Sequence, residues 1–217
     1  MSNTNILVVG VGGQGVMTAA EVLARLALAA GWDACKTEIA GMSQRGGVVS
    51  SQVRIGPQVR ASEITPGQVD LLLAMEAAEA LRWCHWLAPT GRAIINTLRA
   101  VPPIVSSGKA QYPDDPVGDV RAKGYQAFAV DAGAVALSLG DTRLANTVML
   151  GAAADYLPPP LDAEALLAEV LQRFAKNEAL RKLNAAAFEA GREQTRGAVQ
   201  ANPQAVTTAL QNAPASV

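Results

Sequence analysis

Ile6-Leu7-Val8-Val9-Gly10-Val11-Gly12-Gly13-Gln14-Gly15 is the stretch whose reading decides the fold. Four consecutive apolar residues, too few for a helix, are the pattern of a parallel strand covered on both faces. Glycines then break the run, and from Val16 to Ala30 there is neither Gly nor Pro, with Ala and Leu dominating, which favours a helix. Gly31 is its natural stop. Gly10, Gly12 and Gly15 satisfy GxGxxG between strand and helix. Such glycines permit a tight turn and let backbone N–H groups and the helix N-terminus approach a phosphate. Glu38 lies near where a ribose-binding acid of a dinucleotide fold would sit. The same glycines could instead serve only strand-to-helix packing.

Outward from this unit, residues 34–39 suit a second strand. A simple dinucleotide fold would then need a crossover helix. The chain runs instead into Gly41-Met42-Ser43-Gln44-Arg45-Gly46-Gly47, a donor-rich loop suited to an anion or a protein contact. Beyond it Val49, Ser51, Val53 and Ile55 alternate with Ser50, Gln52 and Arg54, a half-exposed strand. Gly56-Pro57 turns it toward a return strand around Val59, so an antiparallel hairpin is expected over about 48–62. Lys36, Arg45, Arg54 and Arg60 face one acid, Glu38, in this region. Arg54 and Arg60 read as a solvated face, and Arg45, flanked by glycines, as either a functional or an interface residue.

Further strands are expected over 69–75, 93–96 and 127–130, and helices over about 76–87, 134–139 and 143–156. On the 76–87 helix Ala77, Ala80, Leu81, Cys84 and Ala88 form one stripe, and Trp86 falls on the polar side with Glu79 and Arg82. Trp86 therefore suggests an interface. His85 and Cys84 read as structural, and Asp131 as a helix cap. Residues 100–116 read as irregular. Strands alternating with helices give an α/β class: a layered Rossmann-like fold with a mostly parallel sheet, an antiparallel hairpin insertion and C-terminal helices. Pro158-Pro159-Pro160 sets a boundary. Residues 1–157 are the α/β domain and 158–196 a helical extension packing on it. Residues 197–217, without one charged or aromatic side chain, are a frayed tail.

Composition narrows the functions. The 217 residues are 50% hydrophobic and 17% charged, with net charge −1, which excludes the electrostatic footprint of a nucleic-acid binder. No apolar run spans a bilayer and no signal peptide is evident, so a cytoplasmic chain is expected. One histidine and two cysteines supply neither a usual zinc site nor the four thiolates of an iron–sulfur cluster. Any redox centre must come from a partner or a bound cofactor, and no catalytic or metal-ligating residue is assigned.

Together, GVGGQGVMTAAEVLA, EIAGMSQRGGVVSSQVRIG and the later LANTVMLGA (residues 144–152) resemble the gamma-type domain of the pyruvate:ferredoxin oxidoreductase superfamily. The pattern is most like that of indolepyruvate:ferredoxin oxidoreductase beta subunits, and it covers about residues 5–155. The resemblance implies a non-redox subunit of a heteromeric 2-oxoacid oxidoreductase, inactive alone. The larger subunit of such an enzyme holds thiamine diphosphate and iron–sulfur clusters, decarboxylates a 2-oxoacid, passes electrons to ferredoxin and forms an acyl-CoA. It implies coenzyme A at the subunit interface, with Gly12, Gly13, Gln14, Gly15, Ser43, Gln44, Arg45 and Gly46 as the matching contact residues. A homodimer of the isolated chain stays open. The sequence departs from the arylpyruvate branch at Ala40, where a His often stands, which leaves the aryl substrate class open. Two other readings stay on the table: a free-standing dinucleotide-binding protein and a purely architectural subunit without ligand.

Overall fold

The continuous apolar run at the N-terminus is buried on both sides, because successive strand residues point to opposite faces. In the computed structural model, which describes residues 3–40, 47–101, 103–106, 108 and 111–201, strand β1 (Thr4–Val11) lies inside a six-stranded sheet. Its Ile6 and Val8 enter one core and its Leu7 and Val9 the other. Helix α1 (Val16–Ala29) follows, then β2 (Asp33–Ala40), β3 (Val48–Gly56), β4 (Val69–Ala74), α2 (Ala77–Trp83) and β5 (Leu87–Asn96). The chain continues through α3 (Pro103–Ser106), α4 (Pro116–Ala122), β6 (Gln126–Val130), α5 (Ala132–Ser138), α6 (Ala145–Ala153), α7 (Ala163–Gln172) and α8 (Glu178–Ala201).

The sheet order is β2-β3-β1-β4-β5-β6. Strands β1, β4, β5 and β6 are parallel, while β3 is antiparallel to both of its neighbours, pairing Val8 with Ser51 on one side and Ser51 with Glu38 on the other. Alternate residues Leu71, Leu73 and Ile94 join the core under α1 and α5 to α8, and Leu72, Ala74, Ala93 and Ile95 the core under α2 and α4. The result is a three-layer α/β fold, in the class the sequence indicates.

Several local expectations change. The antiparallel hairpin is β2 with β3, joined by residues 41–47, and residues 57–59 add no return strand. The reason is that β2 already fills the far edge of β3, so Val59 has no ladder to join; its N–H is taken by the Asp33 carboxylate at 3.2 Å. The helix expected over 76–87 ends at Trp83 and tightens into a 3-10 turn, Cys84–Trp86. Pro89-Thr90-Gly91 then lies inside β5, beside the register shift between Val69 and Leu71. Glu79, placed on the polar side, is buried with Ala77 and Ala80. Trp86 borders the core under α2, its ring 5.5 Å from that of Trp83. The sequence reading places no helix at α4; Pro116 at its first turn and the Asp115 carboxylate, accepting from the Gly118 N–H at 2.9 Å, start it. Asp131 caps α5 through the Ala134 N–H at 2.9 Å, as read from the sequence.

Beyond the three prolines, α7 and α8 contribute Leu166, Val170, Ala187 and Phe188 to the same core as β1 and α1. Helix α8 crosses α6 at close range. Thr195 Oγ1 donates to the Ala152 carbonyl at 3.0 Å, and Asp155 pairs with Arg192 and Arg196, each at 2.7 Å. These two arginines, Arg192 foremost, hold the Asp155 carboxyl below the usual carboxylate range. Helix α8 runs to Ala201, past residue 197, where the sequence suggests that a frayed tail begins, and residues 202–217 lie outside the described residues.

Candidate functional site

The Gly-rich turn sits at the carboxyl edge of the sheet, where β1 has a parallel neighbour on one side and an antiparallel one on the other. Ligand crevices of open α/β sheets lie at this edge. Gly13 has φ 99° and Gly15 φ 81°, a left-handed backbone that favours glycine. The turn is braced from within: Gln14 Oε1 accepts from the Val11 N–H at 2.8 Å, and the Gln14 N–H donates to the Val11 carbonyl at 3.1 Å. It is also braced from outside. Asn146 on α6 donates through Nδ2 to the carbonyls of Gln14 at 3.2 Å and Gly15 at 2.9 Å. A Cβ on Gly15 would stand 2.6 Å from that nitrogen, so a side chain there would displace the brace.

The turn has two sides. On one, the Gly12 N–H donates to the Gly47 carbonyl at 2.9 Å, fastening the turn to the end of the 41–47 connection. Ser43, Gln44, Arg45 and Gly46 lie outside the described residues, but their strands end beside the turn: Ala40 pairs with Val49, and Val48 with Val11. Among the described residues the space around Gly13 is open, with none of their atoms within 4 Å of where its Cβ would be. No side chain among the described residues caps the start of α1, and its first turn carries no acid. The unsatisfied N–H groups and positive end of a helix dipole are thus available there to an anion.

On the other side Gly13, Gln14 and Gly15 border a cavity of about 440 Å³ between α1, α6 and α7. Thr18 and Val22 line it from α1, Leu150 from α6, and Val170, Arg173 and Phe174 from α7 and its end. Its polar wall is largely satisfied internally. Thr147 Oγ1 donates to Asn184 Oδ1 at 2.6 Å, Asn184 Nδ2 to the Leu180 carbonyl at 2.8 Å, and Asn96 Nδ2 to the Met75 carbonyl at 3.1 Å. Leu98, on the rim, is fixed by its carbonyl, which accepts from the Ala77 N–H at 3.1 Å. Buried Glu76 anchors the same segment, accepting from the Ala100 N–H at 3.0 Å and from the Tyr112 hydroxyl. Burial and this carboxylate together push the Tyr112 phenol upward.

The sequence singles out Gly12 to Gly15; Gly13, Gln14 and Gly15 line the cavity, while Gly12 bonds to Gly47 on the opposite side of the turn. Its reading missed Asn146, Asn96, Asn184 and Arg173, which act across elements. The signal for Asn146 was present in the motif at 144–152, but without its partner. Glu38 does not reach the turn: β3 intervenes between β2 and β1, and the carboxylate pairs with Lys36 at 2.8 Å. A dinucleotide fold needs that acid on the strand next to β1, so the free-standing dinucleotide reading loses its ribose contact. Among the described residues no three His, Cys, Asp or Glu side chains gather into a metal site, and no described helix is long and apolar enough to cross a membrane.

Comparison with known proteins gives a consistent picture. A family model described as pyruvate ferredoxin/flavodoxin oxidoreductase matches residues 5–194. Indolepyruvate oxidoreductase subunit IorB of Archaeoglobus fulgidus is 37% identical over 204 residues, 93% of this chain and 98% of its own. The Thermococcus kodakarensis subunit of the same name is 36% identical, over 88% of this chain and 95% of its own. Among solved structures, the gamma subunit of a keto/oxoacid ferredoxin oxidoreductase from Geobacter sulfurreducens superposes with a TM-score of 0.64 at 26% identity, covering 89% of this chain and 99% of that one. A 2-oxoglutarate:ferredoxin oxidoreductase from Magnetococcus marinus, with 2-oxoglutarate, coenzyme A and succinyl-CoA bound, shares the fold at a TM-score of 0.71 and 18% identity, over 91% of this chain and 32% of that one.

Proposed function

The chain belongs to the pyruvate ferredoxin/flavodoxin oxidoreductase family, and from that premise we propose that it is the non-redox subunit of a cytoplasmic, multisubunit 2-oxoacid oxidoreductase that forms an acyl-CoA. Thiamine diphosphate and iron–sulfur clusters belong to a larger partner, which passes electrons to ferredoxin or a similar acceptor. The donor set of this chain agrees: Cys84 is buried, and two cysteines cannot ligate a cluster through four thiolates. The names of the relatives favour an aryl 2-oxoacid such as indolepyruvate as substrate.

The observation that carries the reading is the braced, uncapped turn at the carboxyl edge. Coenzyme A is a phosphate-bearing ligand, and open N–H groups at a helix N-terminus beside a glycine with free space fit phosphate oxygens. Gly12, Gly13, Gln14 and Gly15 would hold it from one side, and Ser43, Gln44, Arg45 and Gly46 from the other, at the face shared with the partner. Coenzyme A supplies the thiol that accepts the acyl group; this chain binds and orients. Asn146 fixes the turn in advance, so ordering it costs little on binding.

Arg45→Ala in the assembled enzyme tests this. The KM for coenzyme A is expected to rise about tenfold, the size of one lost charge-assisted hydrogen bond, with kcat and the stability of the chain nearly unchanged. Unchanged assembly together with an unchanged KM would favour the purely architectural reading.

A further inference from the structure

The cavity behind the turn carries a second message, independent of the subunit assignment. We infer that it is a binding pocket for an organic monoanion with an apolar body, a carboxylate on an aryl or branched alkyl group. Its volume of about 440 Å³ lies in the range of small-molecule sites, roughly 300–1,000 Å³. Its depth is apolar: Val22, Leu150 and Val170 are at most 3% exposed, and Phe174 is half-buried. Helices α1, α6, α7 and α8 all contribute to it, with residues spaced one turn apart in Thr18 and Val22 on α1 and in Val170, Arg173 and Phe174 on α7 and its end.

Charge at the mouth selects the anion. Two arginines line it, Arg143 and Arg173. Arg143 is committed to Asp141 through bonds from Nε at 2.9 Å and Nη2 at 2.7 Å, so this pair is neutral. The Arg173 guanidinium makes neither an ion pair nor a hydrogen bond among the described residues, although its charge is felt by the Glu21 carboxylate. One unmatched cation suits a monoanion; a phosphate dianion would keep a charge uncompensated over an apolar floor. Two neighbouring polar atoms also lack hydrogen-bond partners among the described residues: Nε2 of Gln14, whose Oε1 is committed to the turn, and Oδ1 of Asn146, whose Nδ2 is committed to it. A donor and an acceptor on the same lining as the single cation can orient a carboxylic acid bearing a further oxygen. The inner polar groups Thr147, Asn184 and Asn96 satisfy one another or the backbone and ask nothing of a ligand.

Calorimetry on the full chain with phenylacetate, phenylacetamide and inorganic pyrophosphate tests the pocket. Saturable phenylacetate binding is expected, about tenfold tighter than that of the neutral amide. Arg173→Gln should weaken phenylacetate about tenfold and leave phenylacetamide unchanged. Thr18→Phe, which fills the cavity from α1, should abolish both. Arg173 is exposed and Thr18 half-buried, so both variants should keep the wild-type melting transition. The inference is overturned if wild type shows no saturable phenylacetate binding, if Arg173→Gln binds it as wild type does, or if pyrophosphate binds more tightly and displaces it. None of these results bears on whether the chain has a catalytic partner.

Discussion

Glycine serves opposite purposes in two regions of this molecule. In the turn after β1 it supplies a left-handed backbone and free space: Gly13 has φ 99° and no atom of the described residues within 4 Å of its missing Cβ. At the crossing of α6 and α8 it supplies contact. A Cβ on Gly151 would run into the Phe188 carbonyl, and one on Gly191 into the Val148 carbonyl. The two helices touch backbone to backbone, each glycine lying three residues after the carbonyl that meets the other. The first kind of glycine shapes a surface for something outside the chain, and the second is consumed by the chain itself. One kind is announced by its local motif; the other is visible only once both helices are in place.

The sharpest way to break this contrast is to add a methyl group in each region. Gly151→Ala or Gly191→Ala forces two backbones apart and should cost about 3 kcal/mol or more of stability, among the large effects that overpacking produces. Gly13→Ala meets no neighbour and should cost only the left-handed penalty of about 1–2 kcal/mol. Urea unfolding measures both, and equal losses at the two sites would dissolve the distinction.

A smaller effect sharpens the description of the same helix pair. The Asp155 carboxyl titrates below its usual range because of Arg192 and Arg196, so it binds fewer protons folded than unfolded. Its stabilisation is therefore complete above the unfolded value of roughly 3.9 and fades as pH falls through the lower folded value. Asp155→Asn should cost about 1 kcal/mol at neutral pH, and the gap from wild type should close in acid. A gap that stays constant down to strongly acidic pH would show that these ion pairs do not hold α8 to α6.

The legible part of the fold was the part written in local pattern. Ile6 to Val9, the glycines after them and the alternation of Val49 to Ile55 each place an element with its neighbours only. What escaped reading depended on contacts distant in sequence. The sequence suggests a hairpin of β3 with a strand near Val59, because nothing local says that β2 and β3 pair with each other and set β3 between β2 and β1. That insertion is also what moves Glu38 away from the turn. Glu79, polar by identity, is buried; burial raises its carboxyl, and bonds from Arg82 at 3.1 Å and the Trp83 indole at 3.3 Å satisfy it. At the site, the four turn residues were visible from their glycines. The Asn146 brace spans 131 residues and the cavity is shared by four helices, so neither has a linear signature.

On the proposed function, this chain works only beside a larger catalytic subunit. Anaerobic affinity purification of the tagged chain from its native cells, with mass spectrometry of what accompanies it, tests that most directly. Recovery of a large subunit that binds thiamine diphosphate and iron–sulfur clusters is the expected result. Recovery of the chain alone, above all with a nicotinamide or flavin dinucleotide bound, would contradict it.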